Sequence, residues 1–266
     1  MIKYISKNGI LKKYKGTASN VIIPKNVTAI GENVFNYNWK LKSVKIPDGV
    51  THIGFGAFYC CQNLTKIKIP NSVRHIGHFA FFACDNLLSV VIPNNVKQIG
   101  LGTFNGCYNL TSIEIPNSIT EIGAQAFNGC KNLSSINIPK NVSYIGFSAF
   151  YNIKKVKPQY NTNGKLRAFK AFNKGLTCRG FHYEIGKSYH QDGKIISCFN
   201  GFHACTNPLD VFQYYYGNLN VLRFAEVELS GEMDSEDNKV AASDIKIVRE
   251  LSVSELAEIY NQMEKE

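Results

Sequence analysis

Carboxylates are scarce in the first part of this 266-residue chain: residues 1–157 carry 5 Asp/Glu against 18 Lys/Arg. That part cannot neutralise its own charge and nets +13, while residues 158–266, with 15 Asp/Glu against 12 Lys/Arg, net −3. Opposite signs in the two parts suggest two units. The excess is densest before residue 70, where 11 Lys meet only Glu32 and Asp48. Such a field attracts a negatively charged partner; plain solubility is the alternative reading. No apolar run reaches 18 residues, so no transmembrane helix and no membrane partner are expected. The start MIKYISKNGILKKYKG lacks an apolar core and a small-residue cleavage site. No secretory signal is therefore expected, which favours a cytoplasmic location. A phosphate loop, a dinucleotide-binding glycine motif and an H-E-x-x-H zinc motif are all missing. So is a G-x-S-x-G nucleophile elbow. No cofactor is expected from these patterns. Nucleic-acid binding has only the basic half in its favour, without an RNA-binding sheet motif or a zinc finger.

What the chain does have is a repeat. Pro24, Pro47, Pro70, Pro93, Pro116 and Pro139 follow one another at 23 residues, as do the glycines from Gly31 to Gly146 and the phenylalanines from Phe35 to Phe150. Each unit reads NLxxIxIPxxVxxIGxxAFxxC with small departures. In Leu64–Ile69, Ile67 and Ile69 alternate with Lys66 and Lys68, the pattern of a short strand with one buried and one wet face. Pro70 cannot donate to a ladder and ends the strand. Asn71 and Ser72 suit a turn. Val73, Ile76, Ala80 and Phe81 return to the interior, and Gly77 permits a tight bend. One such coil cannot cover its own apolar side; a stack of coils can.

The pattern resembles the BspA-type leucine-rich repeat over about residues 10–155. The segment ISKNGILKKYKGTASNVIIP is similar to the N-terminal cap of such arrays, with Asn8-Gly9 as a hairpin turn. The resemblance implies a right-handed, curved leucine-rich-repeat solenoid of six 23-residue coils with short parallel strands. It also implies that the molecule recognises another protein, and that secretion or surface display is the alternative to a cytoplasmic location.

Outward strand positions are free to vary because they do not pack the core. One series is Lys45, Lys68, Val91, Glu114 and Asn137; two residues earlier it is Ser43, Lys66, Ser89, Ser112 and Ser135. With adjacent strands about 4.8 Å apart, Lys45, Lys66 and Lys68 form a basic cluster joined by Lys42. Two readings fit it: a contact patch for an acidic protein, with Val91 and Glu114 on the same row, or a solvated face whose lysines splay apart. Phe55, Leu101 and Phe147 follow the repeat glycines, either on the surface or tucked under the turn. Cys61, Cys84, Cys107 and Cys130 keep the 23-residue step and read as small buried thiols, which favours a reducing compartment.

The period stops after Phe150, and a segment with Pro158 and Gly164 leads into a different texture. The domains expected are 1–155 for the solenoid and 156–266 for a small α+β domain. Strands are expected at Phe181–Lys187, in VLRFAEVELSG and in VAASDIKIVREL. A helix is expected from Pro208 to a stop at Gly217. A second helix follows in SVSELAEIYNQMEKE, with Ser252 or Ser254 as its cap. Cys178-x3-His182 and His203-x-Cys205 match no zinc spacing, so no metal is expected. This part is similar to a domain of hypothetical phage and bacterial proteins, which adds a phage- or host-interaction role to the expectations. It also weakly resembles ADP-ribosyltransferases in its order of motifs. That resemblance implies NAD as cofactor and a polar clamp at Arg179 and His203. It further implies a helix end at Tyr216-Gly217, an acidic strand over Glu226–Leu229, and a late carboxylate at Asp244 or Glu228. Structural roles are the alternative: Arg179 paired with Glu184, Glu226 and Glu228 solvated, and His203 half-buried.

Overall fold

The computed structural model describes residues 4–263, with side chains from Lys7 onward. The first and last three residues, including the end of the expected C-terminal helix, lie outside the described residues. The chain divides into two compact units, Met1–Lys154 and Lys155–Glu266.

In the first unit each coil contributes two short strands. One file is a parallel sheet of six: Asn20–Ile22, Ser43–Lys45, Lys66–Lys68, Ser89–Val91, Ser112–Glu114 and Ser135–Ile136. Its register is one coil per step, so that Ser43, Val44 and Lys45 face Lys66, Ile67 and Lys68. The second file runs through Ala29–Ile30, His52–Ile53 and His75–Ile76, and again through Gln98–Ile99, Glu121–Ile122 and Tyr144–Ile145. After each proline the chain turns with one hydrogen bond: Val73 N–H donates to Pro70 O at 3.0 Å, and the other five coils repeat it at 3.0–3.1 Å. At the start, Tyr4–Lys7 and Ile10–Tyr14 form an antiparallel hairpin through Asn8 and Gly9, both at positive φ.

The interior is a set of columns. Phe35, Phe58, Phe81, Phe104, Phe127 and Phe150 are nearly inaccessible and stack with centroids 5.2–5.7 Å apart and planes within 6°. Tyr14 packs on the Phe35 end of the column at 5.1 Å, tilted by 42°. The four repeat cysteines are fully buried, and each thiol donates to the carbonyl of the preceding coil's phenylalanine at 3.0–3.2 Å. Burial pushes the Cys61 thiol up to about 12, and all eight cysteines of the chain are free thiols.

Two features of the coil are sharper than the sequence suggested. Gly77 does not adopt a positive φ; a Cβ there would sit 2.5 Å from Phe55 N and 2.6 Å from Gly54 C. Close approach of successive coils, rather than a bend, is what requires glycine. Left-handed backbone occurs elsewhere, at two positions per coil four residues apart. Asn33, Gly56, Phe79, Gly102, Gln125 and Ser148 fill one of them, and Tyr37, Cys60, Ala83, Gly106, Gly129 and Asn152 the other.

The second unit is built on an antiparallel sheet in the order Gln159–Tyr160, Leu166–Asn173, Phe202–Cys205, Lys239–Leu251 and Ser188–His190. The long strand Leu222–Glu236 pairs with both Leu166–Asn173 and Lys239–Leu251, with register shifts at Glu226/Val227 and between Ser230 and Met233. Its core gathers Phe172, Tyr183, Val227, Leu229 and Ile247. The helix Val253–Met263 opens with Ser252 as cap: Glu255 N–H donates to Ser252 Oγ at 3.2 Å and Ser252 N–H donates back to Glu255 Oε2 at 2.8 Å, a reciprocal capping box.

Two expected elements come out shorter. The helix expected to reach Gly217 is a 3-10 segment, Pro208–Gln213, capped by Asn207. It ends where the Tyr214 hydroxyl donates to Asn238 Oδ1 at 2.9 Å and the Tyr215 hydroxyl lies 2.9 Å from the Cys178 thiol. The strand expected over Phe181–Lys187 is confined to Phe181–His182, paired with Thr177–Cys178. Arg179 and Gly180 turn this hairpin with φ of 50° and 79°, positive at both central positions as a type I′ turn requires.

Candidate functional site

The strand file of the first unit presents two rows outward. The first is Ile22, Lys45, Lys68, Val91 and Glu114, each exposed and in successive parallel strands. Ile22 is 66% and Val91 69% exposed, so aliphatic surface brackets the two lysines. In the second row Lys66 lies between Ser43 and Ser89. Lys42 is exposed just before its strand. Among the described residues no carboxylate pairs with Lys42, Lys45, Lys66 or Lys68. Asn137 leaves the row: its amide donates to Ile115 O and accepts from Ile115 N–H, both at 2.8 Å. The expected basic cluster is therefore assembled, with Val91 and Glu114 on its row. A separate aromatic surface lies on the turns, where Tyr59 stacks on Phe82 at 4.7 Å and Phe55 meets Phe79 edge-on at 5.7 Å. Phe55, Leu101 and Phe147 are 43%, 37% and 47% exposed; they stand on the surface.

The second unit contains a cavity of about 490 Å³. Lys170, in the middle of Leu166–Asn173, is 6% exposed and reaches into it. Its Nζ donates to His203 O at 2.8 Å and lies 5.6 and 5.8 Å from the Phe172 and Tyr183 rings. Burial pulls its pKa down. His203 accepts a hydrogen bond at Nε2 from Cys198 N–H, 3.0 Å away. Burial, then the charges of Lys170, Lys239 and Arg179, lower its pKa to about 4, so it is neutral at pH 7. Lys239 Nζ sits 4.1 Å above the Tyr214 ring. Arg179, exposed on its hairpin turn, and Cys178, 2.9 Å from the Tyr215 hydroxyl, complete one wall. Three cations line the cavity, and among the described residues no Asp or Glu does.

The profile of the BspA type Leucine rich repeat region matches six copies over residues 12–107 and 97–174, well over half of the chain. The chain belongs to the BspA-type leucine-rich repeat family. Residues 166–259 match a second profile, the Domain of unknown function (DUF7666). Among solved structures, the T. pallidum leucine rich repeat protein is 26% identical, covers 58% of this chain and 88% of its own, and superposes with a TM-score of 0.51. A leucine-rich repeat protein from Eubacterium ventriosum is 27% identical over 60% of this chain and 54% of its own, with a TM-score of 0.43. A leucine rich cell surface protein from Faecalibacterium prausnitzii is 30% identical over 62% of this chain and 57% of its own, with a TM-score of 0.44. No curated protein matches the chain.

Proteins with leucine-rich repeats are in general protein-interaction modules. Of the residues singled out in the second unit, Arg179 and His203 meet at the cavity. Asp244 lies outside its lining; it accepts from Ser243 Oγ at 2.6 Å and bonds His190 Nδ1 at 2.8 Å, and these bonds hold its pKa below the ordinary value. Glu226 and Glu228 face a different hollow with Gln159, Asn161 and Arg167. There Arg167 Nε and Arg249 Nε both bond Glu226, at 2.7 and 3.0 Å. Arg179 makes no pair with Glu184 among the described residues. Sequence reasoning passed over Lys170 and Lys239. For Lys170 the signal was legible: it stands between Ala168-Phe169 and Ala171-Phe172, apolar on both faces of one strand, where a lysine is out of place on packing grounds.

Proposed function

We propose that this BspA-type protein recognises an acidic surface on a protein partner through the outward rows of its strand file. The single observation that carries the reading is the unpaired cluster Lys42, Lys45, Lys66 and Lys68, set on a rigid parallel register and bracketed by exposed Ile22 and Val91. Like charges on neighbouring strands repel and gain nothing from within the fold. An acidic partner would convert that repulsion into attraction, and the aliphatic neighbours would supply the dry contact that charge alone lacks. The fold does not depend on these side chains, because the buried alternates Val44 and Ile67 hold the strands.

The test compares the full chain with a Lys45→Glu, Lys68→Glu variant against two probes at low salt: an acidic polypeptide, poly-glutamate, and a 20-base-pair DNA duplex. Preferential binding of the polypeptide, lost in the variant chiefly through a slower on-rate, supports the reading. Equal affinity of variant and parent removes it, and preference for the duplex makes the cluster a nucleic-acid patch.

A further inference from the structure

Lys170 brings an ammonium into a cavity of the second unit. An ammonium taken out of water is held at a steep cost unless an opposite charge or several acceptors replace its hydration. Lys170 is 6% exposed; its Nζ donates to His203 O at 2.8 Å, and the Cys178 thiol is a further polar neighbour. Among the described residues no carboxylate lines the cavity, while Arg179 and Lys239 add two more positive charges. The buried acid nearby, Asp210, does not line it and accepts instead from Gln213 Nε2 at 3.3 Å. Three cations that line one cavity, with no carboxylate beside them among the described residues, suit a ligand that carries negative charge.

The walls say what else the occupant carries. Phe181, Tyr183, Phe202, Tyr214 and Tyr215 surround the cations, and Phe199, 81% exposed, stands among the lining residues. An aromatic ring left in solvent beside such a cavity offers a stacking face. About 490 Å³ is the size of a site for a single organic ligand. We propose that this cavity binds a small phosphorylated aromatic molecule of nucleotide size, with its phosphoryl oxygens against Lys170, Arg179 and Lys239 and its ring against Phe199. The amide of Asn200 and the neutral imidazole of His203 line the same cavity and provide uncharged polar contacts.

The proposal is independent of the solenoid surface and is tested on the full chain by titration calorimetry with ADP, GDP, UDP and FMN, against pyrophosphate and adenosine. At least one of the four phosphorylated ring compounds should bind more than 10-fold tighter than pyrophosphate and than adenosine. Arg179→Asn keeps a residue that tolerates positive φ and removes only the charge; it and Phe199→Ala, both on the surface, should each weaken that ligand about 10-fold. Lys170→Met should abolish binding, its fold being checked by circular dichroism. No saturable binding by any of the four up to millimolar concentration overturns the proposal. So does a ligand whose affinity is unchanged in both Arg179→Asn and Phe199→Ala. Equal binding of pyrophosphate and of the nucleotides overturns the aromatic half and leaves an anion site.

Discussion

Replacing Gly77 by alanine is the most direct trial of the packing described above. The added Cβ would meet Phe55 N at 2.5 Å and Gly54 C at 2.6 Å, both backbone atoms that no rotamer change can move. Ordinary contact begins near 3.4 Å, so the two coils must part locally by about 0.9 Å. Two hydrogen bonds tie them at this point: Gly77 N–H to Ile53 O at 2.8 Å and Gly56 N–H to His78 O at 3.0 Å. Stretching both forfeits about 1 kcal/mol each, and overpacking of an interior adds about 1–3 kcal/mol. The expected loss is therefore about 3–5 kcal/mol. Gly49→Ala is the control, because its Cβ would find Val27 O at 3.9 Å and nothing closer. There the reduced freedom of the unfolded chain should stabilise by about 0.5 kcal/mol. Urea unfolding followed by circular dichroism measures both. If the two variants fall within about 0.5 kcal/mol of each other, close coil contact is not what the repeat glycines serve.

The remaining stability predictions concern one column and one buried acid. Phe104→Ala, which removes a ring stacked at 5.5 Å on Phe81 and 5.6 Å on Phe127, should cost about 3–5 kcal/mol, whereas Phe55→Ala, at a half-exposed ring, should cost under about 1 kcal/mol; equal losses in urea unfolding would contradict the column. Burial holds the Asp210 carboxyl up to about 6 against an ordinary 3.8. The folded state thus prefers the protonated acid: nothing is lost below pH 4, and stability falls as the pH rises from about 4 through 6. The penalty above that range is at most roughly 3 kcal/mol. Asp210→Asn should accordingly be more stable than the parent at pH 8 and not at pH 4, and an equal effect at both pH values would refute the assignment.

The solenoid was legible because six copies vote on each position. Alternation at Ile67 and Ile69, the break at Pro70 and the phenylalanine file each carry a physical reason that repetition makes unmistakable. What repetition concealed was the left-handed backbone at two positions per coil. Gly56, Gly102, Gly106 and Gly129 mark it, but Phe79, Ala83, Tyr37 and Cys60 occupy equivalent sites, where neighbouring coils enforce a conformation that these residues disfavour. The second unit had no such redundancy. Its long strands announced themselves by alternation, while the helix before Gly217 was overextended because Pro208 and Asp210 read as a helix start and Gly217 as its stop, whereas the Tyr214 and Tyr215 hydroxyls meet Asn238 and Cys178 instead. Arg179 and His203 were found by motif order, and their convergence with Lys170 required the sheet: Leu166–Asn173 and Phe202–Cys205 are neighbours in space but lie some thirty residues apart in the chain.

The columns of the solenoid separate two kinds of information. Phenylalanine, cysteine and isoleucine files fix the spacing, and the side chains on the other face of each strand take no part in it. Natural variation can therefore rewrite the outward row one rung at a time, lysine to valine to glutamate, without renegotiating the scaffold. A duplicated coil would lengthen the ruler by one step and leave every existing mark in place.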